Sequence, residues 1–215
     1  MTAPQFSAPP VALTIAGSDC SGGAGIQADL KAFHRARVHG LSALSCVVSE
    51  TPGIVEMIHA VPPSVLASQI QLLLDQYPIG AVKTGMLYSA DHVAAILPLL
   101  DELCVPLVVD PVMVATSGDP LIEPQAITLY REAVCPTATL ITPNLNEAEV
   151  LLESSIERSP DQLRQATEAL AKQFSTAVLL KGGHLDSDTA TDFFATADGF
   201  SETFETPFVR GVNTH

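Results

Sequence analysis

Short apolar runs alternate along the chain with segments whose apolar residues recur at helical spacing. The runs have the length and composition of buried strands and lie at residues 11–16, 43–49, 81–84, 107–110, 139–142 and 177–180. Buried strands separated by helices predict an α/β fold, in which helices cover both faces of a mainly parallel sheet. In such folds, ligands bind at the carboxyl ends of the strands.

The clearest helical segment follows Ser159, which is a favourable N-cap residue, and has Pro160 at its first helical position. Its apolar residues form one stripe, which consists of Leu163, Ala166, Leu170 and Phe174. The pattern therefore predicts an amphipathic helix that packs on the sheet.

Two segments depart from this alternation. Residues 51–61 contain a Pro-Gly turn and a short exposed strand, which is either a flap over a pocket or a plain connecting hairpin. Residues 191–208 have the pattern of strands and a turn. We expect a flexible N-terminus at residues 1–10 and a single domain over residues 11–215.

Composition narrows the class of protein. Apolar residues make up 47% of the 215 residues and charged residues 16%, which indicates a compact folded chain. The net charge of −14 disfavours nucleic-acid binding, because phosphate backbones are bound by clustered Lys and Arg. The four cysteines lack metal-ligand spacing, and three of them lie in or beside apolar stretches, where we expect buried free thiols. We also expect a reducing compartment. Without a signal peptide or a long apolar run, the sequence predicts a cytoplasmic protein with no membrane partner.

The first candidate site is the glycine-rich segment 16–25, which follows the first strand and opens a helix. It matches neither common nucleotide loop, since Gly23 occupies the position where a P-loop needs Lys. The segment is either a place where backbone approaches a ligand or a simple tight turn. Asp29 follows on the apolar side of the predicted helix and needs a partner there. That partner is either a ligand or a neighbouring backbone group or Lys.

Polar residues also follow the later strands. Lys83 and Lys181 each stand beside glycines at the end of an apolar run, a placement suited to anion binding. Met86 can pack against a flat ligand ring or simply fill the core. Asp110 ends a strand and can hold Mg²⁺ through oxygen or cap the next turn.

Asn144 and Glu147 bracket the first turn of a helix that we predict to begin at Leu145. Their spacing is that of a capping box, and the same spacing can project a carboxylate toward Mg²⁺-bound phosphates. Lys181, with two glycines after it, is typical of a phosphate clamp. His184 has no second His or Cys at ligand spacing, so a metal role is not expected.

Together these segments resemble the hydroxymethylpyrimidine kinase / phosphomethylpyrimidine kinase branch of the ribokinase-like superfamily. The motifs that carry the resemblance occur in order over residues 11–215: LTIAGSDCSGGAGIQADLKAF, KTGML, VVDPVM, SGDPL, ITPNLNEAE, LLKGGH and NTH. The resemblance implies a three-layer α/β/α fold with a mainly parallel sheet. It also implies transfer of the ATP γ-phosphoryl group to a hydroxymethylpyrimidine and then to its monophosphate, in thiamin biosynthesis.

The resemblance further implies roles for particular residues. The pyrimidine-binding residues would be Gly17, Asp29, Glu50, Met86 and Val112. The residues that serve ATP and Mg²⁺ would be Asp110, Thr142, Asn144, Glu147, Lys181 and Thr214, with Asp110 and Glu147 nearest the metal. Members of the family are commonly homodimers, and we expect the same here.

The sequence departs from the family pattern at two places. The position of Glu50 is often Gln, which both donates and accepts hydrogen bonds, whereas an ionised Glu only accepts. In the family the NTH segment continues into a Gly-Thr-Gly-Cys turn, which supplies backbone donors and the catalytic base. We therefore expect that the sequence is truncated after His215 and that this form is catalytically impaired.

Two other functions fit the same residues. Some members of the superfamily with similar loops phosphorylate pyridoxal, so a pyridoxal kinase is the nearest alternative. A non-catalytic pyrimidine-binding protein is the alternative from another class. A Rossmann dehydrogenase is poorly supported, because the glycine spacing is wrong.

Overall fold

A computed structural model of the protein describes residues 8–113, 122–182 and 189–207. Nine strands form one sheet in the order β3-β2-β1-β4-β5-β6-β7-β8-β9. The strands are β1 (Val11–Asp19), β2 (His39–Thr51), β3 (Ile54–Ala60), β4 (Ile79–Thr84), β5 (Leu107–Val109), β6 (Leu140–Ile141), β7 (Ala177–Lys181), β8 (Thr189–Ala195) and β9 (Ser201–Pro207).

The six central strands, from β2 to β7 in the sheet, run parallel, and antiparallel strands extend both edges. All six predicted runs lie in or overlap these central strands, so the prediction of a mainly parallel sheet is confirmed. Strand order reverses at β1, since the chain first moves to β2 and later returns to place β4 on the other side. The carboxyl ends of β1 and β4 therefore flank a topological switch point, which is where ligands of open parallel sheets bind.

The helices are α1 (Gly25–Arg35), α2 (Pro63–Gln76), α3 (Ala90–Asp101), α4 (Pro124–Leu129), α5 (Cys135–Thr137), α6 (Leu145–Leu152) and α7 (Pro160–Phe174). A π-helical turn, Tyr130–Val134, joins α4 to α5. Right-handed crossovers place α1 on one face of the sheet and the helices from α2 onward on the other. The layers are therefore helix, sheet and helix.

The predicted stripe of α7 is confirmed, because Leu163, Ala166, Leu170 and Phe174 are all buried. Ser159 is the N-cap residue of this helix, but its hydroxyl makes no capping bond among the described residues. The predicted N-cap position is therefore confirmed.

The core lies between the sheet and the second helical layer. Alternate residues of the central strands, such as Ile15, Val82, Val109, Ile141 and Val178, are fully or almost fully buried. On the opposite face α1 has no fully buried residue, and its predicted stripe is only half-buried. The two layers therefore differ in how completely they cover the sheet.

The two irregular segments form antiparallel hairpins. Strand β3 pairs with the end of β2 at one edge of the sheet, and β8 and β9 extend the other edge. All four cysteines are free. Cys46 and Cys135 are buried, whereas Cys20 and Cys104 are exposed, so the burial prediction was wrong for Cys104, which lies beside an apolar run. Among the described residues, no helix is both long enough and apolar enough to span a bilayer.

Candidate active site

Lysine and acidic side chains from three strand ends lie together beyond β5, β6 and β7. Lys181 is the last residue of β7, and its Nζ lies 3.0 Å from Oδ1 of Asp110, which follows β5. The backbone of Lys181 also pairs with the loop after β6, since its N–H donates to the carbonyl of Pro143 at 2.9 Å. We call Asp110, Asn144, Glu147 and Lys181 the β5–β7 cluster. The structure thus brings together the residues that the sequence suggested for phosphate and metal.

Glu147 connects two parts of this cluster and is 2% exposed. Its Oε2 accepts the N–H of Asn144 at 2.8 Å, and Asn144 Oδ1 accepts the N–H of Glu147 at 2.9 Å. This is the capping box that the sequence suggested. Glu147 Oε1 also accepts the N–H of Met113 at 3.1 Å, a contact that sequence spacing did not indicate.

Burial raises the pKa of the Glu147 carboxyl, and the nearby charge of Asp110 acts in the same direction. The hydrogen bonds from Asn144 and Met113 and the charge of Lys181 oppose this shift. Asp110 and Lys181 are therefore close enough for their charges to act on the Glu147 carboxyl.

The turn after β5 has an unusual backbone at Val112, whose φ is +46°. A β-branched residue in the left-handed region is strained, and such strain persists only where neighbours fix the conformation. Met113 is fully buried, and Asp110 N–H donates to the carbonyl of Thr84 at 2.9 Å. These contacts hold the turn from both ends.

Three further positions complete this side of the site. Thr142 is half-buried after β6, and its N–H donates to the carbonyl of Val109 at 2.9 Å. Gly182 is needed for packing, because a Cβ there would overlap the carbonyl oxygen of Thr191 on β8. Thr214 and His184 lie outside the described residues, as does the segment SGDPL.

A second lysine–aspartate pair lies on the α1 face of the sheet. Lys83 Nζ is 2.9 Å from Asp29 Oδ2, and the hydroxyl of Thr14 donates to the same oxygen at 2.6 Å. We call these three residues the β1–β4 cluster. The anion that Lys83 contacts is therefore a carboxylate of the protein itself. The alternative in which Asp29 pairs with a neighbouring Lys is confirmed.

The glycine-rich loop after β1 is filled by its own aspartate. Asp19 is buried, and its carboxylate accepts the N–H groups of Ser21, Gly23 and Ala24 at 2.7 to 2.9 Å. Burial acts to raise the pKa of Asp19, but these bonds and the Ser21 hydroxyl lower it overall. The amides that resemble an anion cradle therefore bind an internal carboxylate. An Asp that precedes several glycines is the sequence signal that could have identified this turn.

Two of the predicted pyrimidine-binding residues, Gly17 and Met86, lie against each other near the switch point. A Cβ placed on Gly17 would lie 2.8 Å from Cys46 Sγ and 3.1 Å from the methyl carbon of Met86, so a side chain there would collide with its neighbours. The hydroxyl of Ser45 fixes the Met86 backbone by donating to its carbonyl at 2.6 Å.

Sequence reasoning missed two residues that position this side. Ser45 is one, and the other is Tyr130, whose buried hydroxyl donates to the carbonyl of Gly85 at 3.2 Å. Glu50 lies near the end of β2, and Cys20 of the glycine-rich loop donates from Sγ to the Glu50 carbonyl at 3.1 Å. The loop and the β2 end are thus held together.

The family whose sequence profile matches this chain is described as phosphomethylpyrimidine kinase, and the match covers residues 19–215. A hydroxymethylpyrimidine/phosphomethylpyrimidine kinase of Escherichia coli strain K12 is 38% identical over 205 residues. The matched region is 95% of this chain and 77% of that protein.

Solved structures resemble the fold closely. The phosphomethylpyrimidine kinase of Clostridium difficile 630 has a TM-score of 0.83 and 34% identity, covering 91% of this chain and 84% of that one. The pyridoxal kinase of Bacillus subtilis, solved as an ADP complex, has a TM-score of 0.86 and 32% identity. That comparison covers 94% of this chain and 77% of the pyridoxal kinase.

Proposed function

The chain belongs to the phosphomethylpyrimidine kinase family, and from this we propose that it phosphorylates 4-amino-5-hydroxymethyl-2-methylpyrimidine with ATP. A second transfer converts the monophosphate to the diphosphate, which serves thiamin biosynthesis. The observation that carries this proposal is the convergence of Lys181, Asp110 and Glu147 beside the switch point of the sheet. Positioning and charge stabilisation supply most of the catalysis in phosphoryl transfer, and these residues offer both.

On the phosphate side, Lys181 exchanges its ion pair with Asp110 for the oxygens of the transferred phosphoryl group. Thr142, Asn144 and Thr214 line the nucleotide phosphates in this proposal. The amides of the Asp19 loop are already satisfied by the protein, so the phosphates use the β5–β7 cluster. The role of Lys181 is electrostatic, because its ammonium faces the charge that develops during transfer.

Magnesium fits the residues on this side. Among residues 8–113, 122–182 and 189–207, no group of three or more His, Cys, Asp or Glu could hold a metal by itself. Mg²⁺ in kinases is held instead by one or two carboxylates together with substrate phosphates and water. Asp110 would be the carboxylate that holds the ion, and the negative charge of the nearby Glu147 would add to the attraction. When bound, the metal neutralises phosphate charge.

On the alcohol side, the ring packs against Met86, and the lack of a side chain at Gly17 leaves room for the Met86 methyl group there. Both described bonds to Asp29 use Oδ2, and we assign Oδ1 to the ring amino group. Glu50 accepts from the same amino group, while the backbone at Val112 fixes the ring edge. Ionised carboxylates are acceptors only, so they favour a ring that presents donors.

The test is a MgATP-dependent assay of the protein expressed from its whole reading frame. We expect phosphate transfer to the hydroxymethylpyrimidine and to its monophosphate. Both products can be detected by ³¹P NMR. Transfer to neither alcohol nor monophosphate would overturn the proposal.

Pyridoxal kinase is the second candidate, favoured by the structural likeness to the Bacillus subtilis enzyme. Parallel assays with pyridoxal distinguish the two, and Glu50→Gln is the informative variant. A higher kcat/KM for pyridoxal than for the pyrimidine would favour this alternative.

We also propose a cytoplasmic homodimer. The four free cysteines fit a reducing compartment. Val47, Ile54, Val55 and Met57 expose apolar surface on β2 and the edge strand β3, which a second copy can cover. Sedimentation should give a dimer mass for the wild type and a monomer mass for Met57→Glu. A monomeric wild type would contradict the assembly.

A further inference from the structure

A single buried carboxylate joins the two halves of the proposed active site. Glu147 accepts the N–H of Met113, next to the backbone that we assign to the pyrimidine, and the N–H of Asn144, next to the phosphates. The two amides belong to loops that follow different strands, β5 and β6. Each oxygen of the carboxylate thus binds one loop.

The bond to Met113 acts on the strained residue of the site. Val112 has a φ of +46°, and its neighbour Met113 has both its N–H bonded and its side chain fully buried. A β-branched residue adopts this conformation only where neighbouring contacts enforce it. Glu147 supplies one of those contacts directly after the strained peptide.

The chemistry of the contact requires two acceptors. An ionised carboxylate accepts at both oxygens, whereas the amide of Gln accepts at one end and donates at the other. Glutamine at position 147 would therefore place its NH₂ group, a donor, against one of the two backbone N–H groups, and that hydrogen bond would be lost. Burial raises the pKa of the Glu147 carboxyl, and the two backbone N–H groups that it accepts act in the opposite direction.

We propose that Glu147 is a positioning residue, which holds the Val112 backbone at a fixed distance from the Asn144 turn and so aligns the alcohol with the phosphoryl group. This inference rests on the proposed function and goes beyond a metal-facing role for Glu147. A displacement of either loop is transmitted to the other loop through the Glu147 carboxylate. Alignment of this kind contributes strongly to phosphoryl transfer.

Glu147→Gln tests the proposal, with Glu149→Gln as the matched control. Glu149 lies on the same helix, and its Oε1 accepts a backbone amide, that of Ile156, at 2.9 Å. We expect Glu147→Gln to raise the KM for the pyrimidine and lower kcat, each by about tenfold, the effect of one lost charged hydrogen bond.

In Glu147→Gln the concentration of Mg²⁺ that gives half-maximal activity should rise by a smaller factor than the pyrimidine KM, because Asp110 remains to hold the ion. Glu149→Gln should keep wild-type kinetics, because it leaves the bonds to Met113 and Asn144 intact. A residue that acted only on the metal would raise the Mg²⁺ requirement and leave the pyrimidine KM unchanged. That result would overturn the proposal.

Amide hydrogen exchange provides a readout that does not depend on turnover. In Glu147→Gln the amide of Met113 or of Asn144, whichever faces the NH₂ group, should exchange faster, whereas Glu149→Gln should affect Ile156. Unchanged exchange at both amides would overturn the link. If the wild type transfers no phosphate, the proposed function fails, yet this exchange experiment still tests whether Glu147 joins the loops.

Val112→Gly in the Glu147→Gln background separates strain from other effects. Glycine adopts positive φ without steric cost, so it should recover part of the lost pyrimidine affinity, about threefold to tenfold. A double variant no better than Glu147→Gln would show that the carboxylate does not act through the Val112 conformation.

Discussion

Two lysine–aspartate pairs lie near the ends of the central strands, and they differ in what surrounds them. Lys83 and Asp29 are 2.9 Å apart with side chains 23% and 18% exposed, and Thr14 also donates to the carboxylate. Lys181 and Asp110 are 3.0 Å apart and 41% and 25% exposed. The two contact distances differ by only 0.1 Å. The lysine of the second pair is more exposed, however, so it can change partners more readily than Lys83.

This difference distinguishes a charge pair that mainly stabilises the fold, Lys83 with Asp29, from a pair that is accessible to a ligand, Lys181 with Asp110. In the β1–β4 cluster a hydroxyl and an ammonium satisfy one carboxylate oxygen, so loss of either leaves a partly buried charge poorly solvated. In the β5–β7 cluster the ammonium is more exposed, and a surface pair of this kind contributes little to stability. We therefore expect Lys83→Met to lose mainly stability and Lys181→Met to lose mainly activity.

The largest expected effect is on turnover. Lys181→Met keeps the length of the side chain and removes its charge, so kcat/KM for MgATP should fall about 100-fold, typical of losing one stabilising group in the transition state. Steady-state kinetics measure this, with Lys172→Met on the exposed side of α7 as the control. A kcat/KM of Lys181→Met within twofold of the wild-type value would contradict the phosphate role of Lys181.

The next effect is on stability. Lys83→Met should lower the free energy of unfolding by about 1–2 kcal/mol, because Asp29 loses its counter-ion in a half-covered position. Thr14→Val should lower it by about 1 kcal/mol through the lost hydroxyl donor. Urea unfolding measures both, and Lys181→Met provides the comparison. Equal losses for Lys83→Met and Lys181→Met would contradict the distinction between the pairs.

The smallest effect depends on pH and concerns Asp19, whose carboxylate has no lysine partner among its described contacts. Its pKa lies below the ordinary value of 3.8 because its hydrogen bonds outweigh burial. The stabilisation is present above 3.8 and is lost as the pH falls through the lowered folded-state pKa.

Asp19→Asn should therefore cost about 1 kcal/mol at neutral pH, and the gap to the wild type should narrow as the pH falls below 3.8. Urea unfolding at several pH values measures the gap. A gap that stays constant with pH would show that the charge of Asp19 contributes nothing.

Much of the architecture could be predicted from the sequence. The apolar runs place the six central strands because buried parallel strands need continuous apolar residues. The α6 capping box also follows from local spacing, since Asn144 and Glu147 contact each other within one turn. In contrast, the π-helical turn depends on packing with distant segments.

The candidate site was only partly predictable. Sequence placed Asp110, Glu147 and Lys181 after strands whose carboxyl ends share one edge of the sheet, and the structure brings them together. It did not indicate that Glu147 also binds the Met113 amide. Nor did it indicate that Asp19 occupies the amides of the glycine-rich loop, because several turn types are compatible with those glycines.

The sequence by itself determined the alternation of strands and helices, the family, and the set of polar residues at the strand ends. Only the tertiary structure decided which aspartate meets which lysine, because the partners are 54 residues apart for Lys83 and 71 apart for Lys181. Local periodicity states which face of an element is apolar. The choice of partner and its exposure depend on how the crossovers stack separate elements, and the site chemistry depends on that choice.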